Sequence, residues 1–456
     1  MDHTFDKALI ARYGAAAPRY TSYPPATEFH DRFRAKEFAT ALKQRDASQP
    51  LSLYVHLPFC ESICYYCACN KIITKHHNVA AAYLDRVGRE LGLLSALTGR
   101  DTPLEQLHWG GGTPTFLTQD EMVALMRTIG AHFKLVDDET AEYSVEIDPR
   151  HAEDATLRTL RAIGFNRLSM GIQDFDPEVQ KAINRTQSYA LVDEVFRSAR
   201  DLGFRSINAD LIYGLPYQTK SSFGQTLEQL LSLDPDRISL FHYAHLPQRF
   251  KHQRRITTSA LPEGIIQQDM LLDAVTTLTQ AGYVYIGMDH FARPTDELAQ
   301  AQRDHVLSRN FQGYSTRGHL DVLGIGVSAV SRIGLSYSQN AWDLTEYEKY
   351  IDEGVLPVRR GYELNQDDEV RRDIINSLLC HMECDIPSIE ARYDLDFASY
   401  FAPEMEALTR FAQDGLVEVG SRIVVTMRGQ MLVRAVCAVF DHYLNESGRE
   451  RFSRVV

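Results

Sequence analysis

Short apolar runs alternate with longer segments of helical period through the first half of the chain. Six of these runs are predicted strands, at residues 51–55, 106–109, 143–147, 167–172, 207–213 and 238–243. Strands that alternate with helical segments are typical of repeated βα units, which pair into a parallel sheet. The pattern therefore predicts an α/β fold in which six units curl into a partial parallel (β/α)6 barrel.

The C-terminal ends of the six predicted strands carry most of the residues with evident chemistry. In chain order these positions are Cys60, Gly111, Glu146, Gln173, Asp210 and Ala244. Active sites of parallel α/β sheets lie at the C-terminal ends of their strands. We therefore expect the six positions to contribute to one site.

Outside the strands the pattern predicts three further features. A helix after the first strand should bury one face, formed by Leu84, Val87, Leu91, Leu94 and Leu97. Prolines and tyrosines between residues 18 and 25 favour extended backbone, which predicts an arm rather than a helix. Two more apolar runs, 283–288 and 322–330, can extend or cover the barrel.

The chain of 456 residues is predicted to have three parts: an N-terminal arm packing on the barrel (1–50), a catalytic domain (51–341) and a mainly helical C-terminal domain (342–456). The last part has a predicted strand pair, 416–419 and 422–426, before a final helix at 430–443. This order resembles a winged helix. Because the formal net charge is -13, a packing or lid role is favoured over DNA binding.

Composition and charge exclude several classes of protein. A net charge of -13 argues against general nucleic-acid affinity, which needs Lys and Arg to neutralise phosphates. No apolar run reaches the length of a membrane span, and residues 1–6 are acidic where a signal peptide would be basic. We therefore expect a cytoplasmic protein that binds neither nucleic acid nor membrane.

Four of the seven cysteines lie within the ten positions 60–69, with the spacing C-x3-C-x2-C-x-C. Such a short loop can direct several thiolates at one centre, which suits an iron–sulfur cluster. A zinc knuckle and a disulfide-bonded loop are the alternatives, although a second ligand pair for zinc is missing. By contrast, Cys380 and Cys384 are predicted one turn apart on an apolar helix, as buried free thiols.

Several segments carry a resemblance to a known family. These are the cysteine loop, the glycine run 110–114, and the segments 144–149, 170–175, 210–216, 243–247, 287–294, 310–314 and 452–456. Together with the arm at 18–25, they resemble the oxygen-independent coproporphyrinogen III oxidase family of radical S-adenosylmethionine (SAM) enzymes, nearly end to end. The C-x3-C-x2-C spacing is that of the superfamily, and the C-x-C ending at Cys69, the arm and the C-terminal half together narrow the resemblance to the family.

The resemblance implies one [4Fe-4S] cluster held by Cys60, Cys64 and Cys67, a catalytic role for Cys69, and two bound SAM molecules. The first SAM site corresponds to Tyr54, Gly111, Glu146 and Val330. The second corresponds to Tyr66, Gly112, Thr113, Gln173, Arg185, Asp210 and Ala244. Tyr66 stands where the family can have Phe, and Val330 where it can have Ile; both are mild departures.

The resemblance also implies a reaction and its partners. A radical from SAM would abstract a β-hydrogen from each of the ring A and ring B propionates of coproporphyrinogen III, and each substrate radical would then lose carbon dioxide and one further electron, so that vinyl groups and protoporphyrinogen IX result. An electron donor such as flavodoxin and a monomeric state are expected. Cations are needed for the four propionates, and a basic cluster follows the sixth strand, at Arg249, Lys251, Arg254 and Arg255; a solvated basic loop is the alternative.

Two other functions are compatible with parts of the sequence. A non-catalytic haem-handling relative would share the barrel and the C-x3-C-x2-C loop, although such relatives typically lack a residue like Cys69 and the Tyr-rich arm. A zinc-stabilised winged-helix regulator would have no redox chemistry. An anaerobic absorption spectrum and an assay of SAM turnover separate these possibilities.

Overall fold

The computed structural model describes residues 7–138, 140–447 and 452. The acidic residues 1–6 and the closing residues 453–456, which entered the predictions above, lie outside this range. The chain forms two compact units. The first, here called the barrel unit, comprises residues 29–274 and 319–363; the second, the helical unit, takes its described residues from 1–28, 275–318 and 364–456. These divisions differ from the predicted boundaries at residues 50 and 341, because chain segments distant in sequence pack into each unit.

Seven parallel strands form the main sheet of the barrel unit. They are β1 (Leu51–Leu57), β2 (Pro103–Gly111), β3 (Glu142–Ile147), β4 (Arg167–Gln173), β5 (Ser206–Tyr213), β6 (Arg237–His242) and β7 (Asp321–Ile325). Their order in the sheet is β6-β5-β4-β3-β2-β1-β7. All six predicted strands are present, so the predicted α/β class and the partial barrel are confirmed. Strand β7 comes from an apolar run whose place the pattern left open, and it pairs with β1.

Three antiparallel strands continue the sheet beyond β7. They are β8 (Val330–Ile333), β9 (Ser336–Asn340) and β10 (Val358–Glu363), each paired with the strand before it. Short parallel pairs join Phe59–Cys60 to Ile72–Ile73, and Lys134–Leu135 to β2. The first of these pairs closes the base of the cysteine loop.

Helices connect the strands of the barrel unit, at Ala35–Gln44, Asn78–Thr98, Gln119–His132, Asp154–Ala162, Pro177–Ala182, Tyr189–Asp201, Lys220–Leu233 and Leu344–Asp352. Helix Gln119–His132 begins with a capping box, in which Thr118 Oγ1 accepts the Glu121 N–H and the Glu121 carboxylate accepts the Thr118 N–H. A further helix is Gly264–Gln280. In the described part of the chain no helix is long and apolar enough to span a membrane.

Helix Asn78–Thr98 buries the predicted face only in part. Val87, Leu91 and Leu94 are buried, whereas Leu84 and Leu97 are half-buried. Glu90 is buried in the same face, where its carboxylate accepts hydrogen bonds that include those of the Gly326 N–H and the Tyr347 hydroxyl. Because its carboxylate is hydrogen-bonded, Glu90 can be buried on a helix face where the hydrophobic pattern predicts only apolar residues.

The helical unit contains helices Lys7–Tyr13, Glu297–Arg303, Gln366–His381, Ile386–Tyr393, Phe397–Tyr400, Ala402–Gln413, Val433–Cys437 and His442–Ser447. Two hairpins pair Val284–Gly287 with His290–Ala292, and Ser308–Asn310 with Gly313–Ser315. A third sheet orders Glu383–Asp385, Arg422–Val425 and Val417–Val419. The predicted strand pair near the C-terminus is therefore present, with an added third strand.

Two predictions in this unit are wrong in detail. The final helix predicted at 430–443 is broken into short turns, and a new helix begins after Asp441, whose carboxylate accepts the N–H groups of Tyr443 and Leu444. Cys384 does not share a helix with Cys380, because Met382 takes a left-handed conformation (φ +58°) that ends helix Gln366–His381. Both thiols are nevertheless free and buried, as expected.

The tyrosines of the N-terminal arm lie in the core of the helical unit. Tyr20 and Tyr23 belong to the same apolar cluster as Ile374, Leu378 and other residues of helix Gln366–His381. Their hydroxyls are satisfied inside it: the hydroxyl of Tyr20 donates to Asp441. The arm is extended as predicted, but these tyrosines pack among C-terminal helices, whereas the prediction had the arm packing on the barrel. This contact could not be predicted from the sequence, because the arm and the C-terminal helices are hundreds of residues apart in the chain.

Candidate active site

The C-terminal ends of the parallel strands bring the predicted residues to one edge of the sheet. In the register of the sheet Leu57 on β1 is opposite Gly111 on β2, and Asp210 on β5 is opposite Gly171 on β4. The same edge carries Glu146 near the end of β3 and the cysteine loop after β1. The expectation of a single site at this edge agrees with the topology, because parallel strands end together.

The cysteine loop is fastened by its main chain on two sides. Its base is paired with residues 72–73, and the Tyr65 N–H donates to the Ile183 carbonyl at 2.9 Å. The Cys67 carbonyl is 3.1 Å from the Lys71 ammonium and 2.6 Å from His252 Nε2. These bonds satisfy the backbone of an irregular loop and hold its thiols in a defined arrangement.

The thiols of the loop act on one another and lie among cations. Charge on Cys60 interacts with both Cys64 and Cys67. The guanidinium of Arg185 approaches Cys64 Sγ at 3.6 Å, and that of Arg150 approaches it at 3.9 Å. Cations beside sulfur favour thiolates, the form that binds metal.

The pKa values of the loop thiols differ because their hydrogen-bond partners differ. The pKa of Cys67 is lowered to about 6, first because the Cys69 thiol donates to it and then because Lys71 is close. The same hydrogen bond raises the pKa of Cys69. Burial raises the pKa of Cys60 to about 11, although the thiol contacts the Thr113 hydroxyl at 3.4 Å.

Glu146 is the centre of a small network on β1, β2 and β3. Its carboxylate accepts the Gly111 N–H at 3.1 Å and lies 3.3 Å from His108 Nε2. The ring of Tyr54 stacks on that of His108 with centroids 5.7 Å apart. Burial raises the pKa of Glu146, but the His108 and Gly111 interactions outweigh it and lower the pKa overall. The carboxylate is therefore ionised near neutral pH.

Asp210 lies in a second network, on β4 and β5. Its carboxylate accepts hydrogen bonds from Asn208 Nδ2 at 2.7 Å and from the Ser169 hydroxyl at 3.2 Å. Burial, followed by repulsion from Glu146, raises the pKa of Asp210 to about 6. Two carboxylates that repel each other at one edge of the sheet favour a cation between them.

Arg185 has a partner that the sequence did not predict. Its Nη1 donates to Asp148 at 2.8 Å and its Nη2 donates to the Gly171 carbonyl at 2.6 Å. Burial disfavours the charge of Arg185, but Tyr66 and Asp148 raise its pKa overall. The Nε of Arg185 is buried and has no hydrogen-bond partner within the described residues. One donor of this guanidinium therefore remains for a ligand.

The glycine run after β2 makes room for the protein's own groups. A Cβ on Gly110 would lie 2.8 Å from a Glu146 oxygen, and one on Gly111 (φ +115°) would lie 2.6 Å from the ring of His56. A Cβ on Gly112 would lie 2.6 Å from the backbone of Pro58. A side chain at any of these three glycines would therefore collide with side chains or backbone of the neighbouring segments.

The other predicted positions also lie in the barrel unit. Gln173 ends β4 with a positive φ of 72°, and Ala244 follows β6, where its carbonyl accepts a hydrogen bond from Gln253 at 3.2 Å. Val330 begins β8, after the turn that follows β7. Thr113 contacts the thiol of Cys60, and Tyr66 interacts with Arg185. All eleven predicted SAM positions stay predictions as ligand contacts.

Several polar residues of the site were not predicted, namely His56, His108, Asp148, Ser169 and Asn208. His56, Asp148 and Asn208 are two positions from a predicted residue, whereas His108 is directly across the sheet from Tyr54 and Ser169 is directly across from Glu146. In a strand, positions two apart share a face. A search for polar residues at i ± 2 from Tyr54, Glu146 and Asp210 would have found His56, Asp148 and Asn208.

Comparisons with known proteins agree with this geometry. Residues 54–230 match the model of the radical SAM superfamily. The chain is 50% identical to the oxygen-independent coproporphyrinogen III oxidase of Pseudomonas aeruginosa, over 99% of both chains, and 48% identical to that of Escherichia coli K12, over 99% and 98%. It is also similar to the solved structure of coproporphyrinogen III oxidase (HemN) from Escherichia coli, a radical SAM enzyme, with a TM-score of 0.92, 47% identity and coverage of 96% and 99%.

This chain belongs to the oxygen-independent coproporphyrinogen III oxidase family. Membership implies a [4Fe-4S] cluster and SAM as cofactors. Among the described residues no group of three or more His, Cys, Asp or Glu side chains is gathered to hold a metal ion. The donor set of the cysteine loop nevertheless fits a cluster, because charge on the free Cys60 interacts with the free Cys64 and Cys67, and the guanidinium groups of Arg150 and Arg185 lie beside Cys64. The unpartnered Nε of Arg185 fits an anionic group of a bound cofactor.

Proposed function

We propose that this chain catalyses the oxygen-independent oxidative decarboxylation of coproporphyrinogen III. The propionates of rings A and B each lose a β-hydrogen, carbon dioxide and one further electron, and the product is protoporphyrinogen IX. The observation that carries the proposal is the edge of the sheet where a three-thiol loop lies beside Glu146, Asp210 and Arg185. Likeness to curated relatives along the whole chain supports the substrate.

The residues of the loop have distinct proposed roles. Cys60, Cys64 and Cys67 would hold the cluster, with Lys71 close to Cys67 and the guanidinium groups of Arg150 and Arg185 beside Cys64. Cys69 would stay outside the cluster, because a fourth thiolate would occupy the iron that SAM needs. When bound, the cluster and SAM supply an electron and a carbon-centred radical that can remove an unactivated hydrogen, chemistry that no side chain provides. A one-electron donor such as flavodoxin would reduce the protein.

Two SAM molecules are proposed, and the charges at the edge of the sheet support them. Glu146 with Tyr54, Gly111 and Val330 would bind the first, and its ionised carboxylate can accept hydrogen bonds from an ammonium or a ribose. Asp210 and Arg185 would bind the second, together with Tyr66, Gly112, Thr113, Gln173 and Ala244. SAM carries an ammonium and a sulfonium, which would relieve the repulsion between the two carboxylates.

Anaerobic reconstitution with iron and sulfide, followed by product analysis, tests the proposal. With coproporphyrinogen III, SAM and a one-electron reductant, we expect a broad visible iron–sulfur band, 5′-deoxyadenosine and the divinyl product. Deuterium on the propionate β-carbons should appear in the 5′-deoxyadenosine. Vinyl product formed without SAM consumption or label transfer would refute the radical reaction, and SAM turnover without any porphyrinogen product would refute the substrate.

A further inference from the structure

Two arginines of the barrel unit lie close enough to repel each other. Arg249 is exposed in the segment after β6, whereas Arg360 is half-buried on β10. Burial lowers the pKa of Arg360, and repulsion from Arg249 and Arg359 lowers it further. Arg359 has an ion pair with Glu346 at 3.3 Å. Within the described residues neither Arg249 nor Arg360 has a carboxylate at ion-pair distance.

Arg360 is held rigidly by neutral and aromatic groups. Its Nε and Nη2 both donate to Gln339 Oε1, at 3.0 and 2.8 Å. Its guanidinium lies 4.4 Å from the ring centroid of Trp342 and 5.7 Å from that of Phe29. Gln339 is directly opposite Val330 in the β8–β9 ladder. Arg360 is therefore oriented on the strands that carry a predicted SAM contact, and its charge is left without an anion.

Next to each arginine a residue is hydrogen-bonded to the cysteine loop: Trp342, whose ring packs against Arg360, and His252, three positions after Arg249. On one side, the Asn70 amide donates to the Trp342 carbonyl at 2.9 Å, immediately after Cys69 in the chain. On the other side, His252 hydrogen-bonds to the Cys67 carbonyl at 2.6 Å. Trp342 is 52% exposed, which is unusual for so large an apolar ring. The loop that would hold the cluster thus lies between an exposed aromatic surface and a basic segment.

We propose that Arg249 and Arg360 bind a propionate carboxylate of the tetrapyrrole substrate, and that the ring of Trp342 packs against the apolar macrocycle. The inference rests on the proposed function for the identity of that substrate. A carboxylate between the two guanidinium groups removes their repulsion and accepts charge-assisted hydrogen bonds from a preoriented fork. The exposed ring supplies apolar area beside those charges, which matches a ligand with a flat apolar body and an acidic rim.

The other members of the predicted basic cluster are less suited to this role. Arg254 donates to the Pro247 carbonyl at 3.1 Å. Arg255 donates to the Tyr65 hydroxyl at 3.1 Å and stacks on the same ring at 5.2 Å. Of the four basic residues predicted from sequence, Arg249 and Lys251 are therefore left, and of these two Arg249 is the one whose charge interacts with Arg360, on a strand more than a hundred positions later.

Binding of coproporphyrin III, the stable oxidised tetracarboxylate, to the cluster-loaded protein tests the proposal without turnover. The chain has two tryptophans; Trp109 is fully buried and Trp342 exposed, so loss of Trp342 emission on titration reports binding at this surface. We expect Arg360→Gln and Arg249→Gln each to weaken binding about tenfold, the size of a lost charge-assisted hydrogen bond. The affinity of Arg360→Lys for coproporphyrin III should lie between that of these two variants and that of the wild type.

Arg359→Gln is the matched control, because it removes a neighbouring charge that already has a carboxylate partner. It should bind coproporphyrin III within about twofold of the wild type. The tetramethyl ester of coproporphyrin III has no carboxylates, so its binding should be insensitive to Arg249→Gln and Arg360→Gln but weakened by Trp342→Leu, with porphyrin fluorescence as the readout. The proposal would be overturned if Arg359→Gln lost as much affinity for coproporphyrin III as Arg360→Gln does. It would also be overturned if Arg249→Gln and Arg360→Gln lost equal affinity for the free acid and for the tetramethyl ester.

Two measurements separate this inference from the proposed function. Iron content and the Michaelis constant (KM) for SAM should not change in Arg249→Gln, whose side chain is exposed, while the KM for coproporphyrinogen III rises about tenfold. Suppose that the wild type binds coproporphyrin III with the predicted charge dependence but forms no vinyl product. The proposed decarboxylation is then wrong, and the proposed carboxylate binding by Arg249 and Arg360 is supported. If vinyl product forms while Arg249→Gln and Arg360→Gln bind the porphyrin as tightly as the wild type does, the proposed carboxylate binding is wrong and the proposed decarboxylation is supported.

Discussion

Two groups of cysteines in this chain have opposite environments. In the loop at 60–69 the thiols lie among cations and hydrogen-bond donors, and the pKa of Cys67 is lowered to about 6. In the helical unit burial raises the pKa values of Cys380 and Cys384 to about 12. The same residue type is therefore a proposed metal ligand in one place and a buried apolar residue in the other, and the neighbouring groups differ accordingly.

Cys60 shows which part of the loop environment matters. It lies in the same loop as Cys67, yet burial raises its pKa to about 11, because a single contact with Thr113 does not offset the loss of water. Membership of the loop is not sufficient to lower a thiol pKa. Cys67 differs because the hydrogen bonds from Cys69, together with the charge and hydrogen bond of Lys71, outweigh burial.

The largest expected difference between the two groups is in iron binding. Replacing Cys60, Cys64 or Cys67 singly by Ser should abolish the visible iron–sulfur band and SAM cleavage, since each is a proposed ligand of the cluster. Cys380→Ser is the matched control and should retain full iron content after anaerobic reconstitution. A full iron content in any one of the three loop variants would contradict the ligand assignment.

Cys69→Ser should separate iron binding from catalysis within the loop itself. The variant should keep the cluster, because three other thiols hold it, and should lose decarboxylation by about a hundredfold or more, as removal of a group acting at the reacting centre does. Iron analysis and the yield of vinyl product check both parts. Loss of iron in this variant would show that Cys69 is a ligand.

Alkylation of the cluster-free protein should distinguish the thiols by pKa. Because the pKa of Cys67 is lowered to about 6, its thiolate forms as the pH rises through that value, and its reaction with iodoacetamide should already be near its maximum at pH 7.5. Cys384, with a pKa near 12, should stay unmodified in the folded protein. Peptide mass spectrometry at pH 5 to 9 measures both.

Cys69→Ala sharpens this test, because it removes the principal cause of the lowered pKa. The inflection of Cys67 labelling should then move upward from about pH 6 toward the ordinary thiol value of about 8.5. An unchanged inflection would mean that Lys71, and not Cys69, sets the pKa of Cys67.

The smallest expected effect is on stability. Cys384 is 1% exposed, so Cys384→Ala should leave a small cavity and lower the free energy of unfolding by about 1 kcal/mol. The exposed Cys69 offers the contrast, since its replacement by Ala should change the free energy of unfolding by less than about 0.5 kcal/mol. Chemical denaturation of the cluster-free variants checks both values, and equal losses would contradict the difference in burial.

Periodicity along the chain determined the α/β class and the six parallel strands, because the spacing of apolar residues reports local geometry directly. It also placed Cys60, Glu146 and Asp210 at one edge, since parallel strands end together. Periodicity did not predict the position of strand β7, because the apolar run at 322–330 could equally extend or cover the barrel. The strand pair near the C-terminus was predicted, but the break at Asp441 depends on a side chain that caps the following helix.

Tertiary structure alone decided the partners of those residues. The pairing of Arg185 with Asp148, the stacking of Tyr54 on His108, and the packing of Tyr20 beside Asp441 join positions tens to hundreds of residues apart. Hydrogen bonds, ion pairs and pKa shifts depend on distances of a few ångströms, which sequence spacing does not encode across separate elements. The sequence by itself therefore determined which chemistry is present and at which edge of the sheet, whereas folding decided which groups neutralise, orient or repel one another there.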